Sequence, residues 1–523
     1  MPSSQPLSHR DLKVRLREHL ERTSASERTA TWALVLTIAL YVVITAIASG
    51  RHLWHDELYT FYIATAPSWQ RFWQELPLDL NPPLEYLSVR ASTALFGNGG
   101  YAIRLPSIVA FLAGSLCLYR FVANRLTGRY GLLGMLVFWA SPFFYYATEA
   151  RPYAIAIGCL GLTLLCWGRA TRAQRSRADL VLLVLSVTGM MLSHLMALFY
   201  ITPFCLAELV RSHRRRKLDV AIWAALLVPC AIPVLFLRLT ARFASTVFPP
   251  VFQASLHKIP ETYYGSLKVE ALPLLLALCL AWLAIPKSDD RGNGWRMDAV
   301  DAALTAGFLA IPALVNLVLL RTHGAYFDRY AFPVAFGYAL TSVWFLASRA
   351  PRNVLAPMAA SSVLLLFVCG FNLGPGLKQS VWTHRGAAEK ANEKRLDQVE
   401  PNLPLVAASG LTFLEIDRYE DARTVERLYY LTDRALAIRY ASATIFEGMP
   451  DLKAYFPIRA HVESYSEFVA AHPTFLVLGT PEYPEDWLLR ALADMHAVVD
   501  YAGEFPGPYK DKQLYRVTIN IAR

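Results

Sequence analysis

The chain has 523 residues, 55% of them hydrophobic and 18% charged, with a net charge of +10. Its apolar residues are gathered into stretches of about twenty, which excludes a single soluble globular domain and points to a polytopic helical membrane protein. The positive excess does not call for nucleic acid. Residues 373–523 hold about 17 basic and 21 acidic side chains, so the excess belongs to the apolar part, where cations in short loops set orientation in a bilayer.

In chain order, residues 1–30 read as a basic, amphipathic cytoplasmic segment without a cleavable signal. About eleven spans follow, at 31–50, 103–122, 130–148, 152–168, 178–193, 195–210, 218–238, 271–286, 299–320, 330–347 and 354–372. Arg125 with Arg129, then 169–177, 211–217, 287–296, and Arg349 with Arg352 mark cytoplasmic loops. Residues 51–102, 149–151, 194, 239–270, 321–329 and everything after about 372 therefore face outward. All seven cysteines lie in or near spans. Cys159 and Cys166, two turns apart on one helix, read as small buried hydrophobes, and no disulfide framework is implied.

The long first outward loop, 51–102, has the aromatic content of short helices lying in the membrane interface. His55-Asp56-Glu57 opens it. Two carboxylates beside an apolar surface suit a base for an acceptor hydroxyl, and equally suit an acidic helix cap. Asp79, Asn81 and Glu85 flank the rigid Pro82-Pro83 pair, a polar element suited to a ligand site. Arg104, Arg151 and Arg329 sit at outward ends, where topology favours few cations. A phosphate at the membrane surface is one reason for them, and a Glu149–Arg151 pair or snorkelling is another. Tyr153, His194, His257, Lys258 and Tyr330 complete the outward candidates. If a divalent cation is used, Asp56, Asp79 and His194 are its candidate ligands. A transporter or flippase would instead place charge at mid-bilayer.

Beyond the Gly374-Pro375-Gly376 break, residues 373–523 have soluble composition and read as an outward α/β domain. Strands are expected at 403–408, 474–478 and 514–518, with helices after Ser409-Gly410 and over 487–495.

Taken together, Asp-Glu after the first span, Pro-Pro-Leu in the first outward loop, Arg-Leu-Pro-Ser opening the second span, Glu-Ala-Arg-x-Tyr after the third, a Ser-His turn and Arg-Tyr-x-x-Pro resemble a known family. It comprises the protein O-mannosyltransferases, lipid A aminoarabinose transferases and bacterial relatives, glycosyltransferases of the GT-C fold, and the resemblance covers residues 1–372. It implies a polyprenyl-phosphate sugar donor, an extracytoplasmic acceptor and a catalytic domain over 31–372 in a bacterial inner membrane. Asp56 would be the base, Glu57 its neighbour, with Arg104, Arg151, Arg329, Tyr330 and Asn81 near the donor phosphate. Asn81 stands where many relatives have histidine, and Glu85 where an aromatic is usual. A polysaccharide ligase or polymerase using the same carrier fits the same topology.

Overall fold

The computed structural model describes residues 27–240, 245–285, 296–349, 353, 355–383, 396–480, 483–504 and 512–519. The expected N-terminal amphipathic segment up to residue 26, the 286–295 stretch and Arg352 lie outside them.

Helices occupy all eleven apolar stretches, but they are not eleven equal spans. Among the described residues six helices are long and apolar enough to cross a membrane: 28–48, 100–123, 152–170, 220–237, 299–321 and 355–378. Counting bent pairs as single spans gives eight. One such pair corrects the expected span at 130–148. The Gly128–Ala140 helix and the 3-10 turn Pro142–Thr148 meet at 85°. Ser141 takes extended backbone because the ring of Pro142 forbids the helical conformation at the residue before it. The last helix, Leu355–Thr383, runs past the glycine–proline stretch expected to end it.

Leu235, Leu272, Leu283 and Leu366 are each at least 74% exposed, the outward apolar surface that a lipid-facing helix presents. Inside, small residues let backbones touch. A Cβ at Gly114 would lie 2.6 Å from the Ile157 carbonyl oxygen, and one at Gly161 would lie 2.5 Å from the Gly114 carbonyl, so Gly100–Ala123 and Pro152–Ala170 pack directly together. Five ion pairs gather the loops expected on the cytoplasmic side: Arg125–Asp301, Arg169–Asp179, Arg175–Asp219, Arg211–Asp219 and Arg214–Asp298.

The C-terminal residues form a six-stranded sheet of order β3-β2-β1-β4-β6-β5, from β1 (Leu405–Ala407), β2 (Leu428–Thr432), β3 (His461–Ser464), β4 (Thr474–Gly479), β5 (Val498–Glu504) and β6 (Gln513–Thr518). β1 to β4 pair in parallel, and β6 and β5 close one edge antiparallel. β4 is apolar without alternation because both of its faces are covered. Four of the helices around the sheet begin at side-chain caps on Ser409, Asp421, Asp433 and Ser464. One face of this domain shares an apolar core with the first loop, where Leu58, Phe61, Tyr62 and Phe72 join Leu405, Phe413, Leu414 and Ile416.

Candidate functional site

The helix His55–Ala64 begins where Trp54 leaves extended backbone, and the Trp54 N–H donates to Glu57 Oε2 at 3.3 Å, closing the first turn. Neighbouring positions on a helix diverge by about 100°. Asp56 and Glu57 therefore enter different surroundings.

Glu57 is fully buried and bidentate with Arg104, at 2.7 Å from Nε to Oε1 and 2.6 Å from the terminal nitrogen to Oε2. Arg51 at 3.0 Å and the Ala150 N–H at 3.0 Å also donate to it. Burial would push its carboxyl up, but the guanidiniums of Arg104 and Arg51 hold it down to about 2. The remaining donors of Arg104 go to the carbonyls of Ser49, Arg51 and His52 at 2.8, 2.8 and 2.9 Å. Arg104, expected near the donor phosphate, is completely buried with all its donors filled by the chain, and Glu57, expected beside the base, has both oxygens occupied by Arg104, Arg51 and backbone N–H groups.

Asp56 faces an open group. Its Oδ2 lies 3.8 Å from Arg151 Nε and 3.7 Å from a terminal nitrogen of Arg329, beyond hydrogen-bond range, and its side chain is 19% exposed. Arg151 makes its close contacts elsewhere, to Asp79 Oδ2 at 2.6 Å and to the Asp56 carbonyl at 3.1 Å. Among the described residues the Nε atoms of Arg151 and Arg329 have no hydrogen-bond partner. Asp79 also accepts from Asn81 at 3.1 Å and from the Leu80 N–H, so Asn81 buttresses the acid that aims Arg151. The guanidinium of Arg329 lies over Phe327 at 4.6 Å and Tyr153 at 5.7 Å.

His194 packs on Tyr153 and Tyr330 at ring distances of 5.1 and 5.7 Å, and the Tyr330 carbonyl accepts from Tyr200. Burial first, then Arg329 and Arg151, push the imidazole down to about 3. It is neutral, with Nδ1 accepting the Met196 N–H at 3.0 Å and Nε2 left to carry the ring proton. Asp56, Asp79 and His194 do not form a cation site, since Arg151 pairs with Asp79 beside Asp56. Among the described residues no group of three or more His, Cys, Asp or Glu is arranged to hold a metal ion.

Glu149 is not the partner of Arg151. It lies in the field of Arg51, and burial followed by repulsion from Glu57 pushes it up to about 7. Glu85 is fully buried, and burial pushes its carboxyl up to about 8 against the pull of Arg151 and of the nearby Ser107 hydroxyl. His257 precedes the helix Lys258–Leu267 without capping it by its side chain, and Lys258 pairs with Glu261 at 2.8 Å. No contact found for either reaches the open group among the described residues. Sequence reasoning passed over Arg51, whose place just outside the first span carries the same signal as Arg104. A cleft of about 220 Å³ beside the sealed cluster is lined by Arg51, His52, Asn98, Tyr101, Arg418 and Tyr419.

A helical membrane body with an acid–arginine group on one face and an α/β domain docked over that face defines a class of protein seen before. Residues 81–237 match the family model described as dolichyl-phosphate-mannose-protein mannosyltransferase. Among solved structures, ArnT from Cupriavidus metallidurans in the apo state aligns over 93% of this chain and 98% of its own, with 14% identity and a TM-score of 0.55. The same protein bound to undecaprenyl phosphate aligns over the same shares at 14% identity, with a TM-score of 0.53. No curated protein sequence matches the chain. The fold is thus the one ArnT has, and the resemblance carried by the motifs, to the protein O-mannosyltransferase and aminoarabinose transferase kind, agrees with the family-model match over residues 81–237. The matched segment holds Asn81, Arg104, Arg151 and His194 but begins after Asp56 and ends before Arg329.

Proposed function

We propose that the protein transfers a sugar from a polyprenyl-phosphate carrier to an acceptor hydroxyl on the outer face of a bacterial inner membrane, with Asp56 as base and Arg151 and Arg329 holding the donor phosphate. The observation that carries this reading is one partly exposed carboxylate with the guanidiniums of Arg151 and Arg329 3.8 and 3.7 Å from it, close enough to attract but beyond hydrogen-bond range. An anion entering between them finds two charged forks already fixed by Asp79 and by aromatic faces, so little reorganisation is needed on binding. The fold shared with ArnT, which has been crystallised with undecaprenyl phosphate, is compatible with a lipid phosphate there.

In the step proposed, Asp56 takes the acceptor hydroxyl proton while that oxygen bonds to the anomeric carbon. The carbon–oxygen bond to the carrier breaks, and polyprenyl phosphate leaves with the electron pair. One displacement inverts the configuration. The phosphate gains about one negative charge as the bond breaks, which the arginines stabilise more than the ground-state diester. His194 stays neutral and, with Tyr153 and Tyr330, shapes the wall behind Arg329.

Purified protein given a panel of undecaprenyl-phosphate sugars and an envelope extract should release undecaprenyl phosphate only when extract is present. Failure to bind undecaprenyl phosphate, together with no release from any donor, would end this reading. Orientation is tested separately: single cysteines placed in 396–480 should label from outside intact inner membranes, and labelling only after permeabilisation would reverse the sidedness.

A further inference from the structure

We propose that the C-terminal domain completes the catalytic face, with Glu415 as a positioning residue that fixes the helix start bearing Asp56. This rests on the reading of Asp56 as the base.

The helix Gly410–Tyr419 leaves the end of β1 under a Ser409 cap and lies against His55–Ala64 through their shared apolar core. Two side chains one turn apart on it reach the chain just before Asp56. Glu415 Oε1 accepts the His55 N–H at 3.3 Å, and the Tyr419 hydroxyl accepts the Leu53 N–H at 2.7 Å. The Tyr419 ring also stacks on His52 at 4.0 Å and 6°. His55 is the first residue of its helix, so its N–H has no partner within the helix and an outside acceptor decides how that turn is held. On the other side, Arg151 donates to the carbonyl of Asp56. The backbone of Asp56 is thereby gripped from the membrane body by Arg151 and from the C-terminal domain through His55. A base held only by its own short helix would wander by fractions of an ångström, enough to matter for proton transfer. Glu415 itself is half-buried, and the desolvation of its carboxyl pushes it up to about 7. The carbonyl of a protonated carboxyl, or of an amide, still accepts an N–H.

The test compares Glu415→Ala, Glu415→Gln and Tyr419→Phe in the full-length purified protein. Glu415→Ala should lower kcat about tenfold with donor KM within about twofold, and amide exchange over residues 53–57 should quicken. Glu415→Gln should keep both near wild type. Wild-type turnover and unchanged exchange in Glu415→Ala would overturn the proposal, as would Glu415→Gln behaving like Ala. Should Glu415→Ala fold poorly, Tyr419→Phe removes the acceptor of the Leu53 N–H while keeping the ring stack. It should show a milder loss of the same kind, and normal turnover with normal exchange would count against the clamp. If the wild type releases no polyprenyl phosphate, the reading of Asp56 as base falls, while exchange over 53–57 still decides whether Glu415 holds that turn.

Discussion

Two acid–arginine clusters grow from neighbouring residues of one short helix, and they are built for opposite purposes. Around Glu57, every hydrogen-bonding position of Arg104 is filled by carboxylate or backbone carbonyl, and nothing is left for a ligand. Around Asp56, the arginines stand 3.7 and 3.8 Å away, and their Nε donors are unfilled among the described residues. A buried charge is tolerated when its partners are complete, and an incomplete set at a partly exposed acid is what an incoming anion can use. The first cluster ties the ends of two helices to the first loop, and the second stays open above it.

If that contrast is right, substitutions in the two clusters should fail differently. The largest effect is expected from Arg104→Leu, which takes the bidentate partner from the buried Glu57, leaving it Arg51 and backbone N–H groups alone, and unpairs three carbonyls in the interior. It should cost about 3–5 kcal/mol and show as a collapse of folded yield and of the thermal midpoint in detergent. A well-folded Arg104→Leu protein that has lost only donor binding would mean the cluster is not sealed. Next comes Arg329→Ala, which should fold normally yet lose on the order of a hundredfold in turnover, about 3 kcal/mol, with weaker undecaprenyl phosphate binding. Normal binding by this variant would make Arg329 structural.

The smallest effect concerns Glu85, whose carboxyl burial raises from an ordinary 4.5 to about 8. Between those values the folded chain must bind a proton that the unfolded chain has released, so stability falls as pH rises through the window and levels off above it. Glu85→Gln should remove that slope, giving a thermal midpoint above wild type at pH 8 and close to it at pH 5. Parallel melting profiles for the two proteins across pH 5–8 would show that Glu85 does not sit buried and protonated.

Much of the body was legible in the sequence because hydropathy reports directly on helices that must satisfy their own backbone in lipid. All eleven apolar stretches hold helix. The bend at Ser141-Pro142 was missed because the apolar run continues through it, and only the proline marks the break. Of the six strands, the expected three include β1 and β4, whose apolar runs stand out, whereas β3 and β5 are mixed in polarity and β2, Leu-Tyr-Tyr-Leu-Thr, follows charged residues without a turn signal, so all three escaped notice. The candidate group was approachable from arginines where the expected topology favours few cations. What separates them was not, because Arg104 and Arg151 look alike until packing shows which one is filled by the chain itself. Glu415 and Tyr419 were out of reach for a related reason, since their partners lie 360 and 366 residues away and nothing local marks the pairing.

The central claim is that Asp56, and not its neighbour, takes the acceptor proton. Asp56→Asn keeps the shape and most hydrogen bonding of the side chain but cannot accept a proton at catalytic pH. Turnover of purified Asp56→Asn, with undecaprenyl phosphate binding measured on the same sample, should fall about 10²-fold or more while binding is retained. Transfer at near wild-type rate across pH 6–8 would remove Asp56 as the base.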